Sequence, residues 1–358
     1  RKKKRRDAET AKDKQSTHQR ESERRSSMGK TVTVTGASGY VAGHIIRELI
    51  VVGHTVRGTV RDLQSANADT LRELFPEVQL FQADLLTPDS FDQAFEGSDF
   101  VIHTASPFVM AVADPKTELI EPAVKGTLNV LKSAKKARVQ RVVITSSIAA
   151  IQGTSNDPEK VWTEEDWNLD ATLRTAPYQL SKRLAEQAAW NFIKTQGKYK
   201  GSRMDLVVIN PGFVIGPPVS RRSDATSIKI VKSFLDGTAK ANGGCFPFAF
   251  PCVDVRDVAA AHVSAIETGH AAGNRYLLAS TVAYSHLDLA NILKRSGKFD
   301  GFSIPDTEMA PIKYRGKYNN YKAEHHLNLN YTPIEISIID MAASLIQLGI
   351  VSTPSARL

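Results

Sequence analysis

The sequence predicts an α/β protein, a doubly wound parallel sheet with a smaller cap assembled from its C-terminal half. Three observations carry that reading. From Lys30 onward, short runs rich in β-branched residues alternate with longer stretches of helical periodicity. A glycine-rich turn, Thr35-Gly36-Ala37-Ser38-Gly39-Tyr40-Val41-Ala42-Gly43, lies between the first run and the first helix. After Pro211 the alternation loosens into sequence punctuated by glycine and proline.

The strand-like runs are Thr31–Thr35, Thr55–Val60, Val78–Phe81, Phe100–His103, Arg141–Thr145 and Leu206–Ile209. Val41, Ile45, Ile46 and Leu49 share one helical face, and Leu119, Val124, Leu128 and Leu131 share another. Strand, helix, strand in this order requires crossover helices and a parallel sheet. Beyond Pro211 come Gly216-Pro217-Pro218, the apolar strip Phe246–Phe250, a helix at Asp257–Glu267, a strand at Tyr276–Ala279 and a last helix from Glu335 to Leu348. The expected division is a first domain over 29–210, to which 250–270 returns, a cap drawn mainly from 211–350, and a flexible terminus over 351–358.

Composition narrows the class. The chain has 358 residues, is 42% hydrophobic, and holds two cysteines, Cys245 and Cys252. It can bury a full core without disulfides or structural metal, so a reducing compartment is expected and the cysteines read as apolar fillers. No apolar run approaches the ~18 residues of a membrane span. Of the net charge of +8, residues 1–27 carry +6, so the folded body offers no basic footprint for nucleic acid. That tail has no aromatic, Leu, Ile or Val and is expected to be disordered. Met28-Gly29-Lys30 reads as an ordinary start, making residues 1–27 extraneous or upstream-derived sequence. A polyanion-binding or nuclear-import arm at Arg1–Arg6 and a phosphorylation arm at Arg24–Ser27 are the alternatives.

The glycine turn has the spacing and context of a dinucleotide site. Gly36 permits a tight turn, Gly39 lets the backbone approach a pyrophosphate, and Ala42 allows the helix to pack closely on the strand. The anion would rest on amides at the helix N-terminus. A merely structural tight turn is the competing reading. The second strand ends in Arg61-Asp62, where NAD-preferring chains place an acid. A guanidinium there suits a 2′-phosphate, so NADPH is expected over NADH. The alternative is a solvated charge neutralised by Asp62.

Ala176-Pro177-Tyr178-Gln179-Leu180-Ser181-Lys182 opens a helix at Pro177, which puts Tyr178 and Lys182 one turn apart on one face. An adjacent ammonium lowers a phenol toward the range of a working general acid. Alone, such a pair also occurs on ordinary surface helices. The strand Arg141–Thr145 ends in Thr145-Ser146-Ser147, whose hydroxyls are expected to point into the crevice at the carboxyl ends of the strands. A hydroxyl there can steady an oxyanion, although strand-end Ser and Thr usually satisfy local backbone groups.

Together with Asp84-Leu85, His103-Thr104-Ala105-Ser106-Pro107, Asn210-Pro211-Gly212 and Val253–Val258, these motifs occur in one order. That order resembles the extended short-chain dehydrogenases/reductases, in the branch of dihydroflavonol reductase, cinnamoyl-CoA reductase and fungal carbonyl reductases, across Met28 to Val351. The resemblance implies a Rossmann fold and NADP(H)-dependent carbonyl chemistry on a small molecule. Tyr178 would be the general acid, Lys182 would hold the nicotinamide ribose, and Ser147 would orient the carbonyl, with Ser146 the lesser candidate. Gly36, Ser38, Gly39, Tyr40 and Val41 would line the pyrophosphate, Arg61 the 2′-phosphate, and Asp84 and Leu85 the adenine. Thr104, Ala105 and Ser106 would border the cofactor further in, and Pro211 to Val214 the nicotinamide.

The sequence also departs from those relatives. Asn67 and Ala68 stand where many plant members carry a lysine, which leaves the 2′-phosphate to Arg61, with Arg57 as a supplement. Thr175-Ala176-Pro177 replaces the cysteine- and tryptophan-bearing motif of the cinnamoyl-CoA reductases, which argues against a CoA thioester. Phe108, Phe213 and the Phe246–Phe250 strip are expected to select substrate. A same-fold epimerase or hydroxysteroid dehydrogenase/isomerase, and a non-catalytic NADP sensor, are the alternatives; Arg61 speaks against the first and the intact Tyr178 and Lys182 against the second. A monomer or homodimer in the cytosol is expected, with Ala356-Arg357-Leu358 as an alternative peroxisome-type address. His103 and His262 read as packing residues, and no metal site is expected.

Overall fold

The computed structural model describes residues 29–106, 113–155, 157–195 and 203–354. The tail, Phe108 and Ala356-Arg357-Leu358 lie outside them. Seven parallel strands form the main sheet: β1 (Thr31–Thr35), β2 (Thr55–Val60), β3 (Gln79–Gln82), β4 (Phe100–His103), β5 (Arg141–Thr145), β6 (Asp205–Pro211) and β7 (Arg275–Leu278). Their spatial order is β7-β6-β5-β4-β1-β2-β3. The order reverses between β1 and β4, whose residues pair from Val32↔Phe100 to Thr35↔His103. At such a switch point the loops leave in opposite directions and open a crevice at the carboxyl ends.

The strands are apolar on both faces because both faces are covered. Val32, Val34, Val101, Ile102, Val142, Val143 and Leu206–Ile209 are buried. Helices α1 (Tyr40–Val51) and α4 (Val255–Glu267) cover one side, and α2 (Glu121–Lys136) and α3 (Pro177–Thr195) the other. Ala42, Ile45, Ile46 and Leu49 supply the buried stripe of α1.

The cap has its own core. Phe213–Ile215 pairs in parallel with Ala249–Asp254, and Ala283–Ser285 runs antiparallel beside the latter. Helices 226–235, 286–295 and 334–347 enclose it through Ile228, Val231, Leu289, Leu293, Ile338 and Met341. Two segments define where the chain passes between cap and sheet. Residues 249–254 stay with the cap, and the chain crosses back only at Asp254, whose carboxylate caps α4. Residues 275–278 leave the cap segment to become the sheet edge β7, because Arg275–Leu278 are buried beside β6. No helix among the described residues is long and apolar enough to cross a membrane, and no metal-ligating cluster occurs among them.

Candidate active site

The glycine turn follows β1 directly. Gly36 has φ of +64°, and a Cβ there would come within 3.0 Å of Ala105, so only glycine fits without strain. The Ala37 amide donates to the Thr59 carbonyl at 2.9 Å, tying the turn to the end of β2. Gly39 is the extended N-cap of α1 and supplies no side-chain cap, which leaves the first helical amides open to an anion. Ala42 sinks into the core, while a Cβ on Gly43 would meet Val219 Cγ2 at 2.5 Å. The last small position of the motif therefore admits the cap loop.

An open groove of about 1170 Å³ runs along the carboxyl ends of the strands. Gly36, Ser38, Gly39, Tyr40, Arg61, Asp84, Leu85, Thr104, Ala105, Ser106 and Val214 line it. Val41, Pro211, Tyr178 and Lys182 do not, although Lys182 Nζ donates to the hydroxyl of the lining residue Ser106. The Val41 side chain packs partly buried against the core, which leaves only its amide at the α1 N-terminus for an anion, and Pro211 is buried in the ladder opposite Leu278, so Gly212 and Phe213 form the wall there. Arg57 is unavailable as a supplement to Arg61: its guanidinium donates to the Ala94 and Glu96 carbonyls and lies 5.7 Å from the Phe81 ring centre. Sequence reasoning missed Arg222, whose Nη1 donates to the Ser38 carbonyl at 2.9 Å and to its hydroxyl at 2.8 Å. Its partner lies 184 positions away, and the Arg221-Arg222 doublet gave no clue to the pairing.

Tyr178 and Lys182 sit one turn apart on α3, with Lys182 Nζ 5.8 Å from the phenol ring centre. The Tyr178 hydroxyl is hydrogen-bonded to Ser147. Burial pushes Tyr178 up to about 12 and Lys182 down to about 8. This reverses the expected effect on the phenol, because desolvation outweighs the other influences on it. The three strand-end hydroxyls do not share the crevice. Thr145 Oγ1 bonds His262 Nε2 at 2.7 Å on the α4 side, and Ser146 Oγ donates to buried Glu186 at 2.6 Å. Ser147 faces Tyr178.

Glu186 continues the face of Tyr178 and Lys182 by one more turn. It is 1% exposed and accepts from Ser146, Asn210 Nδ2 at 2.8 Å, Arg275 Nε at 2.5 Å and Trp190 Nε1 at 3.2 Å. Asn210 also donates to the Ser147 carbonyl at 3.2 Å, so the network reaches the site through the backbone that carries Ser147. The signal for it was a carboxylate at the eighth position after Tyr178 on an otherwise site-facing stripe.

Residues 32–279 match the NAD dependent epimerase/dehydratase family. The chain belongs to that family. It is 40% identical over 336 residues to a cinnamoyl-CoA reductase of Medicago truncatula, covering 89% of this chain and 97% of that one. A ketoreductase of Aspergillus niger is 31% identical over 90% of this chain and 99% of its own. Gre2 of Candida albicans in complex with NADPH is similar with a TM-score of 0.77 at 30% identity, covering 89% and 99% of the two chains. The protein is an oxidoreductase of this epimerase/dehydratase family, in the reductase branch that its motifs resemble.

This family member closes the groove toward its cap with aromatic rings. Phe213, on the wall, stacks on Phe250 at 5.5 Å between centres, and Phe250 lies 5.7 Å from His286. Phe234 and Phe246 meet the same imidazole edge-on. Phe246 and Phe248 are 55% and 57% exposed, leaving an apolar margin at the cap.

Proposed function

We propose that this protein reduces an aldehyde or ketone to the alcohol with NADPH. The observation that carries the reading is the Tyr178–Ser147 hydrogen bond with Lys182 behind it, joined through Ser106 to a groove suited to a dinucleotide. The residues fit that cofactor: a left-handed Gly36, an uncapped α1 N-terminus and Arg61 supply the close approach, the amides and the cation it needs. When bound, the nicotinamide supplies hydride from its C4 to the carbonyl carbon.

Tyr178 and Ser147 donate hydrogen bonds to the carbonyl oxygen, and the Tyr178 proton moves to that oxygen as it gains charge. The resulting phenolate is stabilised by the Lys182 ammonium and regains its proton from solvent. A phenol raised by burial is fully protonated at neutral pH, which is the form a reduction consumes. Thr175-Ala176-Pro177 before the tyrosine and the apolar margin at Phe246 and Phe248 support a free, largely apolar carbonyl substrate over a CoA thioester.

Incubation with NADPH deuterated at both C4 positions, in one reaction with a mixture of aryl aldehydes, α-diketones and β-keto esters and in a parallel one with cinnamoyl-CoA, tests the reaction type. Deuterium on the carbinol carbon of a product, by mass spectrometry, is the expected outcome. Products without label, or turnover of cinnamoyl-CoA alone, would overturn it.

A further inference from the structure

Arg222 comes from a segment that crosses over the glycine turn from the cap. That segment is fixed on α1 and on the last helix. Tyr40 donates to the Gly216 carbonyl at 2.6 Å, His44 Nε2 bonds the Pro217 carbonyl at 2.8 Å, and Ser344 donates to the Pro218 carbonyl at 3.2 Å. Val219 then fills the space left by Gly43. The strap therefore delivers Arg222 to Ser38 with little freedom left to lose.

The place it reaches is specific. The Gly36 amide contacts Thr59 Oγ1 and the Ala37 amide bonds the Thr59 carbonyl, so the turn that carries Ser38 abuts the end of β2, two residues before Arg61. In dinucleotide folds the end of the second strand is where the adenosine ribose hydroxyls are read. Arg222, on Ser38, and Arg61 both line this groove, and Arg57 is committed elsewhere. Arg222 keeps Nη1 on Ser38, while Nε and Nη2 hold the two oxygens of Asp224, each at 2.7 Å. That carboxylate is 61% exposed. An exposed ion pair is weak, and a phosphate offers the same fork more charge and more acceptor oxygens.

We propose that Arg222 is a specificity-determining residue for the 2′-phosphate of NADPH, with Asp224 occupying its fork until the phosphate replaces it. The proposal rests on the NADPH reading above and adds a second cation, drawn from the cap, to the one on β2. It assigns Asp224 a competing role: the carboxylate opposes phosphate binding.

Calorimetric titration of the full chain with 2′,5′-ADP and with 5′-AMP tests this without turnover. For the native protein, 2′,5′-ADP should bind the more tightly; equal affinities would overturn the NADPH reading itself. With that preference present, Arg222→Gln should weaken 2′,5′-ADP about tenfold and leave 5′-AMP within about twofold. Arg222→Lys, which keeps the charge but not the fork, should fall between. Asp224→Asn should tighten 2′,5′-ADP. Unchanged 2′,5′-ADP affinity in Arg222→Gln, or equal weakening of both ligands in it and in Arg222→Lys, would overturn the role of Arg222 and leave the cofactor reading standing.

Discussion

Lys182 donates a hydrogen bond to the Ser106 hydroxyl at 2.9 Å, joining the middle of the first turns of α3 to the segment that follows β4. The bond fixes the ammonium between the phenol of Tyr178 and the inner wall of the groove. It also keeps a buried cation next to an acceptor, which burial alone would drive toward its neutral form.

A pH dependence follows from that burial. Lys182, lowered to about 8, is charged below that value and neutral above it, whereas Tyr178, raised to about 12, stays protonated throughout. If catalysis needs the ammonium, kcat/KM for reduction should be flat near neutrality and fall above about pH 8, since this ratio reports the free enzyme. Lys182→Arg, whose guanidinium stays charged across the working pH range, should lose that basic limb whatever its absolute rate. A limb unmoved in Lys182→Arg would exclude Lys182 as its origin.

Ser147 and Ser146 are neighbours with different duties. Ser147→Ala should lower kcat by about 10²–10³, as expected for removal of an oxyanion donor, and cost about 1 kcal/mol of stability because its hydroxyl accepts from the Ala149 amide. Ser146→Ala should leave kcat near native and lower stability by about 1–3 kcal/mol, because Glu186 loses a buried donor. Parallel kinetics and urea denaturation separate the two; the reverse pattern would mean the roles are exchanged.

Glu186 and Arg275 form a buried pair, 0% and 9% exposed at their side chains. The arginine also lies 3.8 Å over the Trp167 ring and donates to the Glu164 and Asp166 carbonyls. Removing one charge leaves the other uncompensated, so Glu186→Ala should cost about 3–5 kcal/mol in denaturant unfolding. A loss below about 1 kcal/mol would show that the network relaxes without its carboxylate.

Four histidines are buried in neutral form. Burial lowers His44, His262 and His286 to about 4 and His103 to about 3, from an ordinary value near 6.5. Between about pH 6.5 and 4 the unfolded chain binds protons that the folded chain refuses, so stability should drop as pH falls through that window. His286 has no hydrogen-bond partner for either ring nitrogen among the described residues, so its replacement by an aromatic ring removes no hydrogen bond. His286→Phe should flatten the decline in urea midpoint between pH 7 and pH 5; an unchanged slope would remove His286 from the acid response.

The main sheet was legible because its strands are buried on both faces and written as β-branched runs, from Thr31–Thr35 to Asp205–Pro211. Gly36, Arg61 and the Tyr178–Lys182 pair were legible because local chemistry sets their place on a turn, a strand end or a helix face. Arg222, Glu186 and the fate of Thr145 were not. Each depends on a partner remote in sequence, Ser38, Arg275 and His262 respectively, and no local pattern records such pairings. The Val41 and Pro211 side chains stand off the groove for a related reason: a motif identifies neighbouring positions, but side-chain direction decides which of them present more than their backbone to it.

Initial rates of NADPH oxidation with the carbonyl mixture, for the native protein and Tyr178→Phe, test the central claim most directly. The phenol is the proposed proton donor, so its loss should lower kcat by about 10²–10⁴ while NADPH binding, measured by fluorescence, stays within about twofold. Native-like turnover in Tyr178→Phe would contradict the account, and so would native turnover that proceeds with NADH and ignores NADPH.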